Sequence, residues 1–286
     1  MKEYKNNYIK NKSKLTEVFD SKTIKALQFS VLKEFKRFCE ENNLKYFLSY
    51  GTLIGAVRHQ GFIPWDDDID VQMFRSDYDK FISLYKSNSF YTLENKTDKN
   101  YPYPFMKFCS KNTLCIEDGF KKYFNMGMNI DVFPIDYLSK DSKEKDKQIK
   151  KVKKLIKLNH FKHAVDSPST LIKSNFLTTT VLTILKPFVY PFSYALINSR
   201  INKIASLGNK NKSTLVAGLN WGIGYKLIVE SKEYQEIVNR QFESEFFSCP
   251  KGSDNILNVQ YNDYMKLPEK DKQKPHHDFK CYLIEN

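Results

Sequence analysis

Hydrophobic positions in the first half of the chain recur with two different periods. From Ser21 to Asn43, residues Ile24, Leu27, Val31, Leu32, Phe35 and Phe38 repeat at three- and four-residue spacing, which predicts an amphipathic helix. Lys45 to Ser49 is a short apolar run that predicts a strand, and Gly51 to Arg58 reads as a tight turn entering a helix. Ile69 to Met73 predicts a second strand. Ser76 is placed to cap the helix after it, whose Tyr78, Phe81, Ile82 and Tyr85 share one face. Tyr91–Leu93, Phe105–Cys109, Thr113–Glu117 and Asn129–Phe133 predict further strands, the last ended by Pro134. Helices and strands that alternate in this way predict an α/β (α+β) class, a mixed sheet flanked by helices.

The pattern then changes. Lys140 to His163 holds ten lysines and three acidic residues, while Ile149, Val152, Leu155 and Ile156 share a helical face. That predicts a packed helix with a basic back, turned either to solvent or to an anionic lipid surface. Phe176 to Ile197 is the most apolar stretch, but Lys186, Pro187 and Pro191 interrupt it. A buried helical hairpin or an in-plane surface segment is expected there rather than a membrane span. The expected organisation is a basic N-terminal arm over 1–20, a catalytic core over 21–139, a Lys-rich helical insertion over 140–215, and a C-terminal part over 216–286 that completes the cleft. Pro250 to Pro275 reads as loop-rich. The 286 residues suffice for one large or two modest domains.

Composition adds the question of partners. With 46 Lys and Arg against 33 Asp and Glu, the net charge is +13, which suits nucleic acid, an anionic membrane or a phosphorylated substrate. The lysines concentrate in 140–163 instead of interleaving with aromatics, so no nucleic acid is expected. A hydrophobic fraction of 41% excludes a disordered chain. The five cysteines are scattered without zinc spacing and read as free thiols in a reducing compartment. Met1 to Lys14 lacks the apolar core of a signal peptide. A cytoplasmic protein, peripheral at the inner face of the membrane, is expected.

Against this basic background Asp66, Asp67, Asp68 and Asp70 stand out, with no Lys or Arg between Arg58 and Arg75 to neutralise them. Carboxylates this close destabilise one another unless a cation joins them. On a strand, Asp68 and Asp70 project to one face, Asp66 joins them if the strand extends back, and Asp67 faces away. The pair suits Mg²⁺, or Mn²⁺, shared with substrate phosphates. Upstream, Gly51 permits a close backbone approach, the Thr52 hydroxyl and the helix start can hold phosphate oxygens, and Arg58 can reach a second phosphate. Trp65 is a candidate face for a quaternary ammonium group.

The run Gly51-Thr52-Leu53-Ile54-Gly55-Ala56-Val57-Arg58, followed by Gly61-Phe62-Ile63-Pro64-Trp65-Asp66-Asp67-Asp68-Ile69-Asp70-Val71, resembles the signature of the LicD family. Arg75, Asp77 and Tyr78 continue the likeness, as do Lys107 with Thr113, and Ile130-Asp131-Val132-Phe133-Pro134-Ile135-Asp136. Tyr261-Asn262-Asp263-Tyr264-Met265-Lys266-Leu267-Pro268 and His276-His277 resemble its close, with Asn262 in place of a glycine and Glu269 in place of a proline. The resemblance covers roughly 25–137 and 240–283. It implies a nucleotidyltransferase-like fold in which Asp68 and Asp70 form the metal-binding pair and Asp131 is the third catalytic carboxylate. It further implies transfer of a phospho-alcohol, most often phosphocholine, from a CDP-alcohol donor to a glycan or lipid-linked glycan acceptor, with release of CMP. Thr52 and Arg58 would hold the CMP side, Lys107 would face developing charge, and His276 and His277 would bind phosphate or acceptor. A DxD glycosyltransferase that uses a nucleotide-sugar, and a nucleotidyltransferase proper, are the alternative readings of the same acidic pair. A basic membrane- or nucleic-acid-binding protein without catalysis is the alternative from a different class.

Overall fold

The computed structural model describes residues 14–87, 89–94, 97–117, 126–166, 176–221, 227–275 and 279–285. Strand β1 (Lys14–Val18) leads into helix α1 (Ser21–Glu41), which Asp20 caps by accepting the Thr23 N–H at 2.7 Å. The next elements are β2 (Phe47–Leu48), α2 (Tyr50–Ile54) with a π-helical turn over Gly55–His59, β3 (Asp70–Phe74) and α3 (Arg75–Leu84). Then come β4 (Phe90–Leu93), β5 (Met106–Ser110), β6 (Thr113–Glu117) and β7 (Asn129–Ser139). Helices α4 (Ser142–Asp166), α5 (Phe176–Val189) and α6 (Tyr194–Ala205) precede β8 (Lys212–Ala217) and β9 (Ile228–Glu230). Strands β10 (Ile237–Phe242) and β11 (Glu245–Pro250) form a hairpin, followed by α7 (Ser253–Tyr261) and β12 (Phe279–Glu285).

The main sheet runs β2-β3-β7-β5-β4, with β8 and β9 added along the far half of β7. Within it β3 and β7 are parallel, while the other pairs are antiparallel. This mixed α/β architecture is the expected class. One face of the central strands buries Val71, Met73, Met106, Phe108, Ile130 and Val132 against Val31, Leu32 and Phe35 of α1 and Tyr78 and Phe81 of α3. The alternate residues emerge on the opposite face, where the site forms. A second core joins Ile149, Val152 and Ile156 of α4 to Ile197 and Ile201 of α6 and to Leu138 of β7, so the face predicted for the Lys-rich helix is the one that packs.

Several local expectations change. Pro134 does not end β7. The Asp131 N–H donates to Ile69 O across β3, so by alternation the N–H positions of 132 and 134 face the other neighbour. There β5 pairing stops at Val132 and β8 pairing begins at Asp136. Proline thus occupies a gap between partners where no ladder bond is lost. Ser76 does not cap α3. The strand turns directly into the helix at Arg75, and Phe74 is the cap residue, with no side-chain bond. The loop-rich segment after Pro250 contains α7, and the basic arm contains β1. Asn262 takes φ 61° and ψ −125° as α7 ends, a backbone that suits glycine. No helix of the described residues is long and apolar enough to cross a membrane. All five cysteines are buried and free.

Arg75 holds the layers together. Its Nε and one terminal nitrogen donate to the two oxygens of the buried Asp136 on β7 at 2.9 and 2.6 Å, and the other donates to Asn202 of α6 at 3.0 Å. Asn209 adds a bond to Asp136 at 2.7 Å. Removal of one partner leaves a buried charge unpaired. Arg75→Ala is therefore expected to cost about 3–5 kcal/mol, read as a lower urea midpoint with an unchanged m-value.

Candidate active site

The register of three strands builds the site. Asp70, the first residue of β3, pairs with Asp131 of β7, and Asp131 pairs in turn with Lys107 of β5. Paired residues on adjacent strands project to the same face, so the three side chains form one row across the centre of the sheet. Lys107 Nζ donates to Asp131 Oδ1 at 2.6 Å and to Asn129 Oδ1 at 3.1 Å. Ile130 and Val132 flank Asp131 on the buried face, as their positions in the sequence imply.

The remaining carboxylates come from the loop before β3, where Asp66 N–H donates to Ile63 O at 2.9 Å in a turn. This stretch is not a strand, so two-residue alternation does not extend back from Asp70. One oxygen each from Asp66, Asp67 and Asp68 lies within 4.8 Å of the others, and Asp67 therefore turns toward the cluster rather than away. Gly51 makes the close approach possible, since a Cβ there would sit 2.6 Å from Asp66 Oδ2. Thr52 Oγ1 accepts the Asp70 N–H at 2.8 Å, and the Ser49 N–H donates to Asp70 O at 3.1 Å. The Gly-Thr turn thus orders the acidic pair from behind. From α1, Gln28 Nε2 donates to Asp67 O at 2.6 Å and fixes the loop on its other side.

Burial and like charge act together here. Desolvation raises the Asp70 carboxyl well above its ordinary range, and Asp68, Asp131 and Asp66 add to the rise. Asp66 and Asp131 are raised chiefly by burial as well. Burial alone would depress Lys107, but the Asp131 carboxylate keeps its ammonium charged. Lys25 lies within Coulomb range of Asp66 and Asp67. Among the described residues, Lys107 and Lys25 are the ammonium groups placed near Asp66, Asp67, Asp68, Asp70 and Asp131, fewer than the carboxylates they face. The all-oxygen donor set fits a hard divalent cation such as Mg²⁺ or Mn²⁺.

Asp68, Asp70, Asp131 and Lys107 line one cavity of about 490 Å³ together with Tyr50, Tyr103, Phe105, Phe133 and Trp221. Tyr261 also lines it, and its phenol is raised by desolvation and by Asp70, Asp66 and Asp68, so it stays a neutral donor. Four expected residues stand apart from this lining: Gly51 and Thr52 lie behind the carboxylates, with Thr52 buried and its hydroxyl taken by the Asp70 N–H instead of facing a phosphate, and Arg58 and Trp65 are engaged elsewhere. Arg58 donates to Tyr264 O and Lys266 O, which ties the π-helical turn to the segment after α7. Trp65 packs edge-on against His59, with ring centroids 6.5 Å apart. His276 and His277 lie outside the described residues. Sequence reasoning missed Glu117, His160, His163 and Trp221 at the cavity. For Tyr103 and Phe105, also missed, the available signal was the alternation Tyr101-Pro102-Tyr103-Pro104-Phe105 just before the strand that bears Lys107, whereas the other four carry no local signal.

Comparison with known proteins agrees with the resemblance. Residues 43–181 match the family described as LicD/FKTN/FKRP, nucleotidyltransferase domain. The lipopolysaccharide cholinephosphotransferase LicD of Haemophilus influenzae is 29% identical over 89% of this chain and 95% of its own length. An uncharacterized protein of Rickettsia prowazekii is 46% identical over 54 residues, 18% of this chain and 20% of its own. Mannosyltransferase regulator 4 of Saccharomyces cerevisiae is 34% identical over 58 residues, 20% of this chain but 5% of its own.

A carboxyl whose pKa is raised by folding binds its proton more tightly in the native state. Its contribution to stability therefore falls as pH climbs from the ordinary value near 3.8 through the raised native value. Asp70→Asn removes that penalty. In chelator-treated protein at pH 7 the variant is expected to melt above the wild type, with the difference vanishing near pH 4. Magnesium is expected to raise the melting temperature of the wild type and leave Asp70→Asn little changed.

Proposed function

The chain carries a LicD-family nucleotidyltransferase domain, and from that premise we propose that it is a phosphotransferase that moves phosphocholine from CDP-choline to a sugar hydroxyl of a cell-surface glycan. The convergence of Asp68, Asp70 and Asp131 with Lys107 on one cavity carries the reading, because phosphoryl transfer is mainly positioning and charge neutralisation. The near-full-length similarity to a lipopolysaccharide cholinephosphotransferase supports the choice of group and acceptor. Teichoic acid, capsule and lipopolysaccharide are all acceptors of the required kind.

In the proposed reaction the acceptor oxygen attacks the phosphorus that bears choline. The bond from that phosphorus to the CMP oxygen breaks, CMP leaves, and the acceptor proton passes to Asp131. Asp68, Asp70 and Asp131 would hold a divalent cation, Mg²⁺ or Mn²⁺, which when bound supplies positive charge to the pyrophosphate. Lys107 keeps a fixed ammonium beside Asp131 and faces the transferring group. Tyr261, a neutral phenol at the rim, would donate a hydrogen bond to a phosphate oxygen of the donor. Thr52 and Gly51 fix the carboxylates, so little reorganisation is needed when the donor arrives. The aromatic walls limit water, which favours transfer over hydrolysis.

Incubation with magnesium and, separately, CDP-choline, CDP-glycerol, CDP-ribitol and UDP-sugars tests this, with and without host glycan extract. CMP release from CDP-choline is expected, reduced about a hundredfold or more in Asp68→Ala and Asp70→Ala. UDP release from a nucleotide-sugar, with every CDP donor untouched, would assign the acidic pair to a glycosyltransferase. Pyrophosphate release with NMP left on the acceptor would assign a nucleotidyltransferase.

The proposed acceptor is lipid-linked, and the enzyme is proposed to work at the inner face of the cytoplasmic membrane. Lys143, Lys147, Lys150, Lys151 and Lys154 form an exposed stripe on α4. On the neighbouring α5, Val181, Ile184, Leu185 and Phe188 repeat at helical spacing, with Ile184 62% and Phe188 72% exposed. A basic face beside an unburied apolar one supports binding in the plane of an anionic bilayer. The protein is expected to pellet with phosphatidylglycerol vesicles at physiological salt, and Ile184→Asp with Phe188→Asp is expected to abolish pelleting. Retention of the wild type in the supernatant would end the idea.

A further inference from the structure

We infer that one lobe of the active-site cavity is a quaternary-ammonium subsite, in which Trp221, Tyr103, Phe105 and Phe133 pack around the donor's trimethylammonium group and Glu117 balances its charge. The inference rests on the phosphocholine reading for the donor, and it names the residues that would separate choline from uncharged polyols at the same carboxylates.

The rings form a continuous surface. Trp221 lies 5.4 Å from Tyr103, 5.3 Å from Phe105 and 5.2 Å from His160, centroid to centroid. Phe105 touches Phe133 at 4.2 Å, and Phe133 meets Tyr50 at 5.3 Å. Together they run from the Gly-Thr turn to α4. Their π-faces attract cations, and the structure already shows this, with Lys107 Nζ 5.0 Å from the Tyr103 centroid and 6.0 Å from that of Phe105.

Among the described residues the charge balance of the lobe is also negative. Lys107 is committed to Asp131 at 2.6 Å. His160 and His163 are held below their ordinary pKa chiefly by burial, so they add no positive charge at neutral pH. Glu117 lines the cavity and accepts the Tyr103 hydroxyl at 2.7 Å. An aromatic surface beside a carboxylate suits a cation that needs no hydrogen bonds. Glycerol or ribitol hydroxyls placed against the same rings would lose water without replacement.

The wall is held from behind. Asn159 of α4 and Asn198 of α6 donate to Pro102 O at 2.9 and 3.0 Å. Asn202 of α6 and Asn220 donate to Pro104 O at 2.8 and 3.0 Å. Tyr103 and Phe105 are therefore fixed by two anchored carbonyls, which is preorganisation for a ligand rather than adaptable packing.

Calorimetric titration of the full chain in magnesium tests the subsite without turnover. The probes are choline, its neutral carbon isostere 3,3-dimethylbutanol, glycerol and CMP. Choline is expected to bind at least about tenfold more tightly than the isostere. Glu117→Gln and Phe105→Leu are expected to weaken choline severalfold, with Glu117→Gln leaving the isostere unchanged and circular dichroism confirming the fold of both. Equal affinity for choline and isostere, preference for glycerol, or unaltered choline binding in Glu117→Gln would overturn the inference. So would displacement of choline by CMP, which would assign the rings to the cytosine base. If choline binds as expected and no CDP donor is consumed, the transfer reading fails and the subsite stands. If phosphocholine is transferred while choline discrimination is absent, the subsite fails and the transfer reading stands.

Discussion

Two half-buried carboxylates and one buried ammonium, set in one row across three adjacent strands, are the constraint on which the molecule is arranged. Asp70, Asp131 and Lys107 sit at paired positions of β3, β7 and β5. A buried carboxylate is tolerated only when paired or bound to a cation. Here one pair is made within the protein, and on the proposed reading the remaining carboxylates serve a divalent cation. On that reading stability is exchanged for function, a trade found where a fold carries chemistry. The parallel β3–β7 pair makes this possible, because it starts both carboxylates at the same end of the sheet.

Everything around the row serves to keep it in place. The turn at Gly51 and Thr52 comes within contact distance of the acidic loop, and α1 holds that loop from the other side. Farther along β7, Arg75 clamps Asp136 and reaches Asn202, which in turn holds Pro104 O ahead of Phe105. A continuous polar chain therefore connects the far half of β7 to the segment that enters β5. These bonds are buried and mutually satisfied, the condition under which a polar network specifies one arrangement.

Much of the site was legible in the sequence because it depends on local geometry. The glycine before a helix and Asp131 between Ile130 and Val132 express short-range rules of close approach and alternation, and the run of aspartates stands out in a basic chain, although Asp68 reaches the cavity from a loop and not by strand alternation with Asp70. The fold class was legible for the same reason, since the α1 period and the apolar runs mark helix and strand directly. What escaped depends on contacts between distant segments. Asp67 joins the cluster because a turn replaces a strand, and Pro134 is tolerated because two partner strands leave a gap between them. Trp221, His160 and Glu117 meet across more than a hundred residues. Arg58 resembles a phosphate ligand by position, yet the segment after α7 supplies carbonyls that engage it. No periodicity encodes such meetings.

The four asparagines behind Tyr103 and Phe105 have a thermodynamic consequence. They belong to α4, α6 and the segment after β8, none of which supplies a carboxylate to the acidic row, yet the aromatic wall keeps its shape only while these elements stay docked. Local opening of the helical layer and emptying of the lobe are therefore linked equilibria. A ligand held by the rings would slow amide hydrogen exchange along α6, although it touches no atom of that helix.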